Sequence, residues 1–218
     1  GTTTPTRFSG SAAATITVKG PQAIGLEKSA DWYPLRLARE LDRAILDLRH
    51  NQLDIGLWLL KTRGEVSRVL ELDSLLQENR KDWFVRETLG YLRRTLSRLD
   101  LSSRSMFALI EPGSCFAGTL MELALAADRS YMLDIKDGEK SAPRVALSAL
   151  NFGAYPMANG QSRLVTRFGG EPPTMPMNEK LGAGEASSLG LVTAAPDDID
   201  WDDEVRIAGE ERASLSPD

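Results

Sequence analysis

The 218 residues carry 26 Lys plus Arg against 31 Asp plus Glu, a formal charge of −5, with one Cys and one His. The chain is long enough to bury a core of its own, and its acidic balance argues against a nucleic-acid-binding stripe. One Cys excludes an intramolecular disulfide, and one Cys with one His cannot form the usual four-ligand zinc site. No apolar run reaches the roughly 18 residues of a membrane span, and no basic-then-apolar leader opens the chain. The expectation is a chain with no metal, no nucleic-acid partner and no membrane partner, in a reducing, cytoplasmic compartment. A Ser-His-Asp triad would need His50, around which no supporting motif stands.

In chain order, residues 1–13 are rich in Thr, Ser, Ala and Gly and read as a linker. From Ala14 to Lys19, Ile16 and Val18 alternate with Thr15 and Thr17, a strand pattern. Between Tyr33 and Arg49 the apolar positions Leu37, Ala38, Leu41, Ile45 and Leu48 recur at three and four, the mark of an amphipathic helix. The apolar run Leu53–Lys61 reads as a strand buried on both faces. A segment rich in Leu and Glu follows. Asp82–Leu99 then forms a second amphipathic helix, with Arg86, Arg93, Arg94 and Arg98 on its wet side. Ser105–Ile110 is another buried strand, meeting the turn signal Pro112-Gly113. Gly118 opens a helix that ends at Asp128. Ser130–Asp134 and Arg144–Ala149 read as strands, and Gly160–Arg167, Gly184–Leu189 and Asp203–Glu211 as short helices. Alternating strands and helices predict an α/β fold with a largely parallel core.

The chemistry is concentrated between Met106 and Asp128, where a buried strand runs through a Gly-containing loop into a helix that starts on Ala117, Gly118 and Thr119. Free backbone N–H groups at such a start favour a negative charge, and Glu122 follows one turn later as a candidate acid or base. Cys115 is a candidate nucleophile without an identifiable base, for which packing is the better reading.

The segment ALIEPGSCFAGTLMELALAAD resembles the strand-loop-helix of the enoyl-CoA hydratase/isomerase (crotonase) superfamily, V-N-G-x-x-x-G-G-G-x-E-L-A-x-x-x-D, with matches at Glu122, Leu123, Ala124 and Asp128. NFGAYPMANGQSRL, Asn151 to Leu164, resembles its N-L-G-x-x-P-G-x-G-G-x-x-R-L. AGEASSLGLV, Ala183 to Val192, resembles A-x-x-A-x-x-x-G-L-V. Closer still, SRSMFALIEPGSCFAGTLMELALAADRSYML and WDDEVRIAGEERASLSPD look like the C-terminal half of a crotonase-superfamily lyase that opens the oxidised ring of an aromatic CoA thioester. The resemblance implies a crotonase-like spiral of ββα units over 14–170. It also implies a Pro/Gly-broken acidic segment, 171–218, that packs on a partner half or subunit. The implied ligand is an acyl-CoA, with no cofactor beyond the coenzyme A of the substrate. The implied partners are the N-terminal half of the same enzyme and a further copy in a homo-oligomer. Glu122 becomes the candidate catalytic residue, and Ala117, Gly118 and Thr119 the turn that binds the thioester oxygen.

Two departures cut against chemistry in this half. The family's first oxyanion donor lies in a small-residue F-x-x-G-x-D stretch; here Glu65 to Asp73 reads EVSRVLELD, with Leu70 and Glu71 in place of small residues. The family's second glutamate aligns with Ala149 and its proline with Ser148, and alanine moves no proton. This half is therefore either catalytic through Glu122 or a degenerate unit that scaffolds its partner; a stand-alone hydratase or isomerase is disfavoured by Ala149. If it is scaffold, replacing Glu122 by Gln is expected to change stability by less than about 1 kcal/mol.

Overall fold

The computed structural model describes residues 2–8, 11–135 and 142–215. Five strands lie side by side in the order β1 (Thr2–Phe8), β2 (Ser11–Lys19), β3 (Leu57–Arg63), β4 (Ser105–Ile110) and β5 (Arg129–Met132). β1 and β2 form an antiparallel hairpin in which Thr2 faces Thr17 and Phe8 faces Ser11; the remaining neighbours are parallel. The linker reading of residues 1–13 is thus corrected over 2–8 and 11–13. Thr2, Thr4 and Thr6 place β-branched residues at period two, and pairing to β2 supplies the hydrogen bonds that a Thr/Ser-rich composition does not advertise. Gly1, Ser9 and Gly10 lie outside the described residues.

The parallel strands are linked by α1 (Tyr33–Asn51), by α2 (Val66–Glu78) with α3 (Trp83–Ser97), and by α4 (Gly118–Ala126). α1 buries Leu37, Ala38, Leu41, Ile45 and Leu48, with Arg49 and His50 in its last turn beside the carbonyl end. α3 is capped by Asp82, whose carboxylate accepts from Phe84 N at 2.9 Å and Val85 N at 3.4 Å. β3 starts at Leu57 rather than Leu53, because the chain leaving α1 turns there: Ile55 N donates to Gln52 O and Leu53 is 63% exposed. The expected strand at 144–149 consists instead of single bridges, Ala146 to Ala117, Val145 to Leu181 and Leu147 to Met177. It ends in a tight 3-10 turn at Ala149–Asn151 that Ser148 caps.

Alternation along the strands sorts the core onto two faces. Ile16, Val18, Trp58, Leu60, Ala108 and Ile110 meet α1 to α4 on one side. Leu57, Leu59, Phe107, Leu109 and Tyr131 face the other, where Trp201 and Ala208 of α7 (Trp201–Ala213) close over them. Part of the 171–218 segment therefore packs on this chain's own sheet, while Ile199 and Ile207 on the same stretch stay exposed. Two short helices, α5 (Arg163–Phe168) and α6 (Ala183–Ser188), complete the described chain. No helix among the described residues is long and apolar enough to cross a membrane.

Candidate functional site

The predicted turn and helix stand where the sequence puts them, at the end of β4, and Gly118 to Leu125 are all buried. Ala117 is extended and Gly118 takes φ +44°, a left-handed value that suits glycine. The N–H groups of Gly118 and Thr119 are already used. Gly118 N donates to Ala146 O at 3.0 Å. Thr119 N donates to Asp73 Oδ2 at 2.8 Å, the Thr119 hydroxyl to Asp73 Oδ1 at 2.6 Å, and the Ser148 hydroxyl to Asp73 Oδ2 at 2.6 Å. A Cβ built on Gly118 would lie 1.9 Å from that same Oδ2. The space beside the glycine, where a thioester oxygen is expected, holds the carboxylate of Asp73.

Asp73 arrives from α2, a helix that sequence reading left unassigned. Val66, Val69, Leu70 and Leu76 are its buried stripe, and Asp73 falls on the same face at 2% exposure. Burial raises the Asp73 carboxyl to about 6, and the hydrogen bonds from Ser148 and Thr119 pull against that rise. Behind Thr119 stands the Tyr155 hydroxyl at 2.9 Å; burial, then the Asp73 charge, hold that phenol well above its ordinary value.

Glu122 is 1% exposed and faces no open pocket. Asn151 Nδ2 donates to its Oε1 at 2.7 Å, and Arg163 Nη1 donates to its Oε2 at 2.8 Å. Arg163 is itself enclosed: its other terminal nitrogen, Nη2, donates to Leu96 O at 2.9 Å and to both oxygens of Asp100 at 3.0 and 3.1 Å. Asn151 uses every polar atom of its amide, donating also to Gly118 O and accepting from Ser148 N. Burial raises the Glu122 carboxyl, and the Arg163 charge with the bonds from Asn151 and Arg163 opposes the rise.

The candidate site residues are thus together, but in a closed network. A small cavity of about 190 Å³ abuts it, lined by Asp73, Ser148, Ala149 and Leu150; Ala149, at the aligned second-glutamate position, brings no carboxylate to it. Asp73, Ser148, Tyr155, Asn151 and Arg163 were missed as site residues. Three had a signal in the motifs: Asp73 is the D of the F-x-x-G-x-D stretch, and Asn151 and Arg163 are the N and R of N-L-G…R-L; Ser148, in the proline's place, and Tyr155, at a variable position, had none. With Glu122 clamped by a buried guanidinium, the geometry raises the expected cost of Glu122→Gln above the roughly 1 kcal/mol expected from the sequence.

The other candidates lie elsewhere. Cys115 is buried, its sulfur against Gly20 and Gly64, and burial pushes its thiol up to about 11, so it is a packing residue. Arg98 pairs with Asp42 at 2.8 Å, whereas Arg86, Arg93 and Arg94 are exposed on α3.

No protein-family model matches the chain. The chain is 56% identical over 216 residues to a benzoyl-CoA-dihydrodiol lyase of Aromatoleum evansii, an alignment covering 94% of this chain and 38% of the lyase. The chain therefore spans well under half the length of the curated relative it matches. Among solved structures, an enoyl-CoA hydratase of Bacillus halodurans matches with a TM-score of 0.67 at 18% identity, over 99% of this chain and 81% of that one. One of Bacillus anthracis matches at 0.64 and 18%, over 99% and 78%. At that identity the likeness speaks for the fold. The parallel strands, the glycine turn into the buried helix α4 and these likenesses together give the chain a crotonase-like fold, similar over nearly all of its length to one part of a benzoyl-CoA-dihydrodiol lyase.

Proposed function

We propose that this chain is the C-terminal crotonase-like half of a lyase that opens and cleaves the oxidised ring of benzoyl-CoA. The products would be an unsaturated adipyl-CoA semialdehyde and formate, formed during cytoplasmic benzoate catabolism. Within that enzyme the half is a scaffold, and the ring is opened in the N-terminal half. Similarity to the lyase supports the reaction class. The observation that carries the scaffold role is Asp73 on the Thr119 N–H: with Gly118 N bonded to Ala146 O, Thr119 N bonded to Asp73 and the space beside the glycine filled by that carboxylate, neither donor is offered to a thioester oxygen. Glu122 adds to it, because a carboxylate between Arg163 and Asn151 reaches no substrate proton.

In this reading the half binds the partner half and a further copy of the enzyme, and needs no cofactor beyond the coenzyme A of the substrate. A stand-alone hydratase would require a second proton-transferring carboxylate, and Ala149 stands in its place.

The test is Glu122→Gln in the full-length enzyme, with turnover normalised to folded protein. Turnover within about two-fold of the parent supports the scaffold. A loss of about 100-fold to 10,000-fold makes Glu122 an acid or base and overturns it. Calorimetry against benzoyl-CoA adds an independent reading, since the scaffold role requires binding by the full-length enzyme and none in the acyl pocket of this half.

A further inference from the structure

A groove of about 920 Å³ lies between α3 and the loop 153–160, on a part of the surface the network above does not use. Its walls carry Arg80, Arg86, Arg93 and Arg94, against a single acid, Glu87. Glu87 is taken by Arg86 at 3.1 Å, and the Arg94 guanidinium lies 4.7 Å over the Tyr91 ring. Arg80 and Arg93 have no carboxylate within ion-pairing distance among the described residues. On a chain of net charge −5, this is a local excess of positive charge left without an internal partner.

The shape of the groove is independent of its charge. Arg86, Gly90, Arg93 and Ser97 follow one another at four, three and four residues along α3, so they form one stripe of the helix. Gly90 is in the helix interior, where glycine is the costliest ordinary residue after proline. Packing gives no reason for it: a Cβ built there meets nothing within 4 Å. Gly153 and Gly160 on the facing loop differ, because their φ of +119° and +86° already favours glycine. The missing side chain at Gly90 leaves open the space between Arg86 and Arg93 on the stripe.

We propose that this groove is a binding site for a compound carrying two or more phosphates, of nucleoside-diphosphate size. Its volume is within the range of small-molecule sites, about 300–1,000 Å³. Guanidinium groups recognise phosphate oxygens in pairs and keep their charge at any physiological pH. Arg80 and Arg93, the two wall arginines without a carboxylate partner among the described residues, are the phosphate ligands in this reading, and Leu89, Pro156 and Met157 give an apolar edge for the attached group. The groove shares no lining residue with the Asp73–Glu122 network, so the proposal stands or falls independently of the scaffold role.

The experiment is calorimetry on the whole chain with ADP, inorganic pyrophosphate and coenzyme A as probes. Saturable binding of ADP and pyrophosphate, weakened about ten-fold or more by the double substitution Arg80→Gln/Arg93→Gln and by added salt, is the expected result. Gly90→Leu sharpens the test, because it should raise the unfolding midpoint while abolishing binding. Coenzyme A binding about ten-fold tighter than ADP would identify the source as the coenzyme, and equal affinity would identify it as free nucleotide. Affinity unchanged in both variants overturns the proposal. So does an acidic peptide that binds where ADP and pyrophosphate do not.

Discussion

Asp73 and Glu122 enter the same buried corner from α2 and α4, and the surroundings answer their charges in different ways. Glu122 meets a full positive charge on Arg163, which is in turn balanced by Asp100, so the corner holds a carboxylate-guanidinium-carboxylate chain. Asp73 meets only dipoles: one backbone N–H and two hydroxyls. Dipoles orient a carboxylate and satisfy its lone pairs, but they leave its charge in place, whereas a guanidinium answers the charge and must itself be enclosed. Glu122 is thus fixed by a partner that would be stranded without it, and Asp73 by a turn that would otherwise have free donors.

The largest effect is expected at the centre of the charged chain. Arg163→Ala leaves Glu122 and Asp100 facing each other across a buried space and removes the guanidinium donor from the Leu96 carbonyl. Urea unfolding should register a loss of about 3–5 kcal/mol. A loss under about 1 kcal/mol would mean that the two acids are neutral in the folded state, and the contrast with Asp73 would collapse.

Next in size is Gly118→Ala, which tests the other end of the corner. The new methyl group would sit 1.9 Å from Asp73 Oδ2 and 2.9 Å from the Ser148 hydroxyl, at a backbone φ of +44°. Strain and displacement of Asp73 together should cost about 2–4 kcal/mol in the same unfolding measurement. An unchanged midpoint would show that the turn relaxes freely and that Asp73 is not wedged against it.

Much of this was legible in the sequence, and the part that was not has a common cause. Helix α4 and β4 are nearly all apolar, and Gly118, Glu122 and Asp128 sit at spacings that report a strand, a turn and a buried helix directly. Helix α2 is less legible because its buried stripe, Val66, Val69, Leu70 and Leu76, also takes in Leu72 and the acid Asp73, which blurs the boundary between an apolar and a wet face. Ala117, Gly118 and Thr119 were correctly located, but whether their donors are free depends on a residue 46 positions away, Asp73. Glu122 depends likewise on Arg163, 41 positions away. Sequence periodicity reports which residues share a face; it does not report which distant side chain reaches a given hydrogen-bonding group. Asp73, Glu122, Asn151 and Arg163 were visible as motif letters, Thr119, Ser148 and Tyr155 were not, and the partnership of all seven became visible only in the fold.

A smaller change separates geometry from charge at Glu122. Glu122→Gln keeps the volume, but one carboxylate oxygen becomes an amide nitrogen that meets either the Arg163 or the Asn151 donor. One charge-assisted bond is lost, and a stability decrease of about 1–3 kcal/mol follows. Stability within about 0.5 kcal/mol of the parent would place the Arg163 charge chiefly on Asp100 and make Glu122 the lesser partner.

The matching amide at Asp73 should behave differently, and at neutral pH it is the mildest of the four. With its oxygen in the Oδ2 position, Asn accepts from Thr119 N and Ser148 Oγ as before. Its NH2 donates to the Thr119 hydroxyl, which turns its own proton to the Tyr155 oxygen 2.9 Å away. The number of bonds is kept, but the buried Tyr155 O–H, which donates to Thr119 Oγ1 in the parent, loses that acceptor; removal of a buried charge offsets this, so Asp73→Asn should stay within about 1 kcal/mol of the parent at pH 7. Its signature is in the pH dependence. The folded carboxyl titrates at about 6 against 3.8 for the free group, so between those values the folded state binds more protons than the unfolded one. Stability from this group is therefore greatest below the lower value and is lost as pH rises through the folded one, by roughly 3 kcal/mol at most. Asn has no such titration, and the other carboxylates are common to both proteins. The variant's stability relative to the parent should accordingly climb from pH 4 to about 6.5 and then level off, read from urea midpoints at matched pH. A flat difference would mean that something else neutralises Asp73 as Arg163 does Glu122, and the two carboxylates would then be held by the same means.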